Sequence, residues 1–161
     1  MYLIDKTYFR NKLQINGLYD GNNGLETKLD DYISIYVIDF LQKLLGVDFE
    51  ELNTNITDGV LDTGAPQRWL DLVNGKTYTK DGKDYVWKGL LYQNGSVKLS
   101  ILANVVYCNL IHDLVTGNGQ ISVDVKSSRM LLPRKNYIEV WNEIANQFNQ
   151  SVDLQPKISF I

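Results

Sequence analysis

The 161-residue sequence contains one cysteine and one histidine, and each scarcity removes a class of chemistry. With Cys108 alone, no intramolecular disulfide can form, which fits a reducing compartment. With His112 alone, every metal site that needs two histidines is excluded, and one imidazole is left as a candidate base. Cys108 lies four residues before His112, so the two share a helix face. A metal there would need two further ligands, and no other Cys or His exists to supply them, so a thiol and an imidazole packed near the core is the favoured reading. The His112-Asp113 pair occurs in metal phosphohydrolases, but those need several more histidines. Long apolar runs are missing too. The richest stretch, Val97–Val115, is broken by Lys98, Asn104, Asn109, His112 and Asp113, and reads as a buried helix and not as a membrane span. Met1–Lys6 lacks the basic start and apolar core of a secretory leader, so none is expected. No glycine-rich run leads into Gly-Lys-Ser/Thr, which leaves no Walker-type phosphate loop. Tandem repeats, low-complexity tracts and Pro/Ser-rich linkers are absent, which favours one domain.

The remaining acids and hydroxyls do not assemble into a catalytic pattern. Asp30-Asp31 falls on the polar side of an amphipathic helix, where paired acids are more often a solvated surface than a dyad. Ser96, Ser100 and Ser122 lack the strand–turn–helix setting of a nucleophile elbow. The loop from Asp20 to Glu26 alternates Asp and Asn like a calcium loop, but Asp31 stands where the twelfth-position glutamate belongs, and a plain turn is favoured. The expectation is a protein that is not an enzyme, with no catalytic residue, no cofactor and no metal.

Apolar residues make up 44% and charged residues 22% of the chain, which is ordinary for a folded domain. The net charge of −3 gives no whole-chain signal for nucleic acid. Its distribution is uneven: residues 1–64 carry 11 acidic and 5 basic groups, and residues 65–161 carry 8 acidic and 11 basic. Such asymmetry suits a subunit whose two ends meet different or complementary surfaces; two solvated faces of unequal sign are the plainer alternative. Lys126, Arg129, Arg134 and Lys135 form the one basic group that could meet DNA phosphates. Protein docking or simple solvation explains it equally well, and the acidic total argues against a free DNA binder.

Periodicity predicts a mainly α fold: a small bundle of three long helices with a β-hairpin insertion and an extended C-terminal arm. After a short helix at Lys6–Leu13 capped by Asp5 comes a turn-rich loop at Gly17–Gly24. The first long helix spans Leu25–Leu45, with apolar residues at three- and four-residue steps and Gly46 as its stop. A helical turn at Asp48–Leu52 follows, then a polar irregular stretch, Asn53–Gly64. Pro66 opens a short helix, Gln67–Val73, closed by Asn74-Gly75. Lys76–Lys88 reads as a hairpin turning at Asp81-Gly82, which sets Tyr78 opposite Tyr85, Thr79 opposite Asp84 and Lys76 opposite Trp87. Tyr78, Tyr85 and Trp87 then share one face. The second long helix is predicted over Ser96–Val115 and the third over Arg134–Asn149, separated by a long connection, Thr116–Pro133, in which Ile121, Val123 and Val125 alternate as in a strand. Ile33, Phe40, Ile101, Val105, Val140, Trp141 and Phe148 are the expected core. This body covers residues 1–150. The arm, 151–161, carries Val152, Leu154, Ile158 and Phe160 in a segment too short for a stable helix, so these four are candidate subunit contacts.

Leu44-Leu45-Gly46, the run Arg68-Trp69-Leu70-Asp71-Leu72-Val73-Asn74-Gly75, the hairpin residues Tyr78, Asp81-Gly82-Lys83, Tyr85 and Trp87-Lys88-Gly89-Leu90, and Leu102-Ala103-Asn104-Val105-Val106-Tyr107 together carry a resemblance. Leu25–Asn149 resembles small structural proteins encoded beside capsid and portal genes in phages and prophages of Bacteroides and their relatives, including crAss-like phages. More distantly it is similar to the helical head–tail connector (adaptor) proteins of tailed double-stranded DNA phages. The resemblance implies a virion neck protein, assembled in the bacterial cytoplasm as a homo-oligomeric ring, commonly of twelve copies. Its partners would be the portal and the tail or further ring proteins. Genomic DNA would only pass through its channel, and no membrane would be involved. A tail-completion or capsid-associated virion protein, or a non-enzymatic protein-binding adaptor outside the virion, stays open beside it. Thr116–Pro133 and the arm have no match in the resemblance.

Overall fold

A computed structural model describes residues 2–21 and 23–116, together with Asn142. The third helix read over Arg134–Asn149, the alternating Ile121–Val125 stretch, the arm, and the core assignments of Val140, Trp141 and Phe148 lie outside the described residues. The fold is mainly helical, with small two-stranded antiparallel sheets.

Helix α1 runs Asn23–Leu45 and helix α4 runs Ile101–Thr116; they pack against each other as the centre of the described body. On α1 the buried positions are Leu25, Leu29, Ile33, Val37 and Leu41, a strict four-residue step that keeps one stripe inward. Tyr32, Tyr36 and Phe40 flank that stripe and are half-buried. Gly46 ends the helix at φ +57, a left-handed conformation that costs glycine nothing. Helix α4 buries Ile101, Leu102, Ala103, Val106, Tyr107, Cys108 and Leu110, apolar on most sides as a central helix must be. Of the expected core, Ile33 and Ile101 are buried, whereas Phe40 and Val105 are only half-buried, because they sit on the shoulders of their helix stripes.

Helix α4 starts five residues later than predicted. Gln93–Asn94 (β5) and Val97–Lys98 (β6) pair instead as a tiny hairpin, with Gly95 at φ +59 in its turn. Ser100 then caps α4: its Oγ accepts from the amides of Leu102 at 3.1 Å and Ala103 at 3.4 Å and donates to the Leu90 carbonyl at 2.8 Å. The predicted helix at Lys6–Leu13 is split into two 3-10 turns, Lys6–Tyr8 and Asn11–Leu13, because Arg10 between them is extended and Asn11 has φ +56. Asp5 does cap the first turn, accepting from the Thr7 amide at 2.8 Å. This N-terminal segment supplies Leu3, Ile4, Phe9, Leu13, Ile15 and Leu18 to the core, each worth about 1.5–3 kcal/mol of burial.

Between the two long helices lie the smaller elements. Phe49–Thr54 (α2) follows a 3-10 turn at Gly46–Asp48 and buries Phe49 and Leu52. Ile56–Thr57 (β1) and Val60–Leu61 (β2) then pair around Asp58-Gly59, inside the stretch predicted to be irregular. Gln67–Asn74 (α3) has Pro66 at its N-cap and buries Trp69 and Val73. Lys76–Lys80 (β3) and Lys83–Trp87 (β4) form the predicted hairpin in the predicted register, Tyr78 opposite Tyr85, Thr79 opposite Asp84 and Lys76 opposite Trp87.

Candidate functional site

The residues singled out for partner contact, Lys126, Arg129, Arg134 and Lys135 in the basic group and Val152, Leu154, Ile158 and Phe160 in the arm, lie outside the described residues. Those singled out for chemistry lie mostly within them. Cys108 is buried, and burial pushes its thiol up to about 12, which keeps it protonated and poorly nucleophilic at neutral pH. His112, four residues on, is exposed, so it is not packed near the core beside the thiol. The helix rotates about 40° over four residues, enough here to carry position 112 past the edge of the buried face. Ser100 spends its hydroxyl on the α4 cap. Asp30 and Asp31 are both exposed. Helix α1 already begins at Asn23, so the span from Asp20 to Asp31 is mostly helical and cannot wrap a calcium ion as a loop. Among the described residues no three His, Cys, Asp or Glu side chains come together as metal ligands. No helix among them is long and apolar enough to cross a membrane.

What the structure does assemble is a mount for the β3–β4 hairpin, built from the Arg68–Gly75 run. Trp69 is buried under α3, and its indole Nε1 donates to Glu51 Oε1 at 3.1 Å, tying α3 to α2. Arg68 pairs with the other oxygen of the same carboxylate, and its guanidinium lies 4.4 Å from the Trp69 ring centroid. One turn on, Asp71 accepts from Lys76 Nζ at 2.5 Å and from Gln67 Nε2 at 2.6 Å. These two bonds, that from Lys76 first, hold the Asp71 carboxyl below its ordinary range. Lys76 is the first residue of β3, so this pair fastens the hairpin to the helix.

Two glycines complete the mount. Gly75 (φ +95) and Gly89 (φ +83) bracket the hairpin and touch backbone to backbone. A Cβ on Gly75 would lie 2.6 Å from the Trp87 carbonyl oxygen, and one on Gly89 would lie 2.5 Å from the Gly75 nitrogen. That approach lets the Leu90 and Leu91 amides donate to the carbonyls of Leu72 and Val73 at 3.1 and 3.0 Å. Trp87 Nε1 also donates to the Leu72 carbonyl, at 2.8 Å. The hairpin is therefore fixed at its base and projects beyond it.

Beyond the base, Tyr78 and Tyr85 stack with ring centroids 5.5 Å apart. With Trp87 they make one aromatic face, as the register predicted. Among the described residues only Trp87 of the three packs against the core; Val86, on the opposite face, is 51% exposed. A mounted hairpin of this kind can present a surface to a partner. Nearby, the Glu51 and Asp71 carboxylates are held in ion pairs with Arg68 and Lys76. No signal in the sequence marks Glu51 as the partner of Trp69, and the Gly75–Gly89 contact is equally unmarked. The chain matches no protein-family model, no curated protein and no solved structure.

Proposed function

We propose that the protein is a structural virion subunit, a head–tail connector of a tailed double-stranded DNA phage. In this reading it assembles as a ring of twelve copies that joins the portal to the tail and encloses the DNA channel. The observation that carries the reading is the Arg68–Gly75 run leading into an aromatic hairpin, the most specific part of the resemblance. The architecture of that run supports it: the charged and aromatic residues serve to hold a projecting element rigidly and not to react. A ring subunit needs projections that grip neighbours, and it needs no catalytic step. Lys126, Arg129, Arg134 and Lys135 would face the channel, where four cations give weak, strongly salt-dependent contact with passing DNA.

Disruption of the gene in the phage that encodes it tests the proposal. The expected result is DNA-filled heads that carry no tails, restored by the gene supplied in trans. Normal infectious particles would overturn the proposal. Tailed particles with defective capsids would favour the capsid-associated alternative.

A further inference from the structure

The chain contains five Asn-Gly pairs, and four of them, Asn16-Gly17, Asn23-Gly24, Asn74-Gly75 and Asn94-Gly95, lie among the described residues. Such a pair can lose its side-chain amide without an enzyme. The glycine nitrogen gives its proton to water and attacks the asparagine Cγ; a succinimide ring closes and ammonia leaves. Water then opens the ring at one carbonyl or the other, leaving aspartate or isoaspartate. Glycine permits the attack because no Cβ shields its nitrogen. In a folded chain the reaction needs an unbonded glycine N–H and a backbone free to bring that nitrogen onto Cγ, so its rate follows local opening.

The fold separates the four pairs. The Gly75 N–H donates to the Asp71 carbonyl at 2.9 Å, and its nitrogen is pressed against Gly89. Asn23 and Gly24 are the first two residues of α1, so bringing nitrogen onto Cγ there must unwind the helix start. Asn94 is paired with Val97 between β5 and β6, and the Gly95 carbonyl accepts from Gln93 Nε2 at 2.7 Å. Asn16 is held by none of these devices. It is exposed and lies outside every described helix and strand. With Gly17, at φ +82, it forms the centre of a turn from Ile15 to Leu18, closed by one backbone bond of 3.3 Å. Among the described residues no backbone carbonyl accepts from the Gly17 N–H.

The same turn sits between anchors. Ile15 and Leu18 on either side of it are buried in the core. Tyr19 reaches back across it: its hydroxyl donates to the Lys6 carbonyl at 2.6 Å, and the Arg10 guanidinium lies 4.5 Å from its ring centroid. Isoaspartate routes the main chain through the former side chain and so adds one backbone carbon between these anchors. A close-packed core tolerates such a shift of register poorly. We infer that Asn16-Gly17 is a site of spontaneous deamidation in the folded protein, and that its isoaspartate product loosens the N-terminal segment, residues 2–15, from the core. The inference concerns the chemistry of the chain itself and does not depend on the connector reading.

The test is to hold the 161-residue protein in mildly alkaline buffer, folded and in denaturant, and to follow each asparagine over time by peptide mapping and mass spectrometry. In the folded protein Asn16 is expected to convert at least about tenfold faster than Asn74, and ahead of Asn23 and Asn94; in denaturant the four rates should converge. The aged protein should melt a few degrees below the fresh protein. Asn16→Gln keeps the exposed carboxamide but closes the ring far more slowly, so aged Asn16→Gln should melt as it did when fresh. Earlier conversion of Asn23, Asn74 or Asn94 in the folded protein, no conversion of Asn16 there, or a preference for Asn16 that persists in denaturant would overturn the site assignment. An aged wild type that melts like the fresh protein after Asn16 has converted would overturn the loosening of the N-terminal segment.

Discussion

The indole Nε1 of Trp69 donates to Glu51 Oε1 at 3.1 Å, joining residues 18 apart in sequence and fastening α3 to α2. The other oxygen of that carboxylate takes Arg68, but this ion pair is about half exposed on both sides and is screened by solvent. The two contacts on one carboxylate should therefore differ in strength. Trp69→Phe, which keeps an aromatic ring and loses the donor, should cost about 1–2 kcal/mol. Arg68→Ala should cost less, under about 1 kcal/mol. Urea denaturation monitored by circular dichroism gives both values, and a larger loss for Arg68→Ala would reverse this ranking.

Gly75 and Gly89 combine positive φ with backbone contact, so a methyl group at either meets strain and overlap together. Gly75→Ala and Gly89→Ala should each cost about 3 kcal/mol or more, and the double variant should cost less than the sum, since the same contact is broken once. Gly46→Ala is the control. Its φ is +57 but nothing lies within 4 Å of the added carbon, so the cost should stay near about 1 kcal/mol. Equal losses at positions 46 and 75 would mean that the close approach contributes nothing.

The Asp71 carboxyl is held below its ordinary value by Lys76 and then by Gln67. A lowered folded-state value means that the stabilisation is fully present above the unfolded value, about pH 4, and is lost as pH falls through the folded value. Wild type should accordingly be more stable than Asp71→Asn at neutral pH, and the gap should close in acid below about pH 4. Thermal melts of the two proteins from pH 7 down to pH 3 follow that gap. A constant difference would remove the Asp71 carboxylate from the account of how the hairpin is fastened.

Burial raises the Cys108 thiol to about 12. Labelling by a thiol reagent at pH 8 should be very slow in the native protein and fast in denaturant. Rapid native labelling would place Cys108 at an accessible surface.

Some of this architecture is legible in residue patterns and some is not, for physical reasons. Helix α1 shows a four-residue apolar step over more than five turns, and the β3–β4 register follows from Asp81-Gly82, because both are local rules. Asp58-Gly59 carries the same turn signal, but its strands are two residues each, too short to show alternation. The start of α4 misleads because Val97 extends the helical apolar pattern back to Ser96, while the true cap is Ser100. The N-terminal core residues, the Glu51–Trp69 bond and the Gly75–Gly89 approach are contacts between distant segments, which no local period encodes. The basic group rests on composition and the arm on its apolar residues in a short segment, and both lie outside the described residues.

The most direct test of the central claim is the native mass of the 161-residue protein mixed with a portal protein encoded in the same genome. The account predicts one dominant species in which this chain, 18.4 kDa per copy, is present at twelve copies on each portal ring. A chain that fails to bind the portal, or that binds it as scattered single copies with no preferred number, would contradict the connector reading.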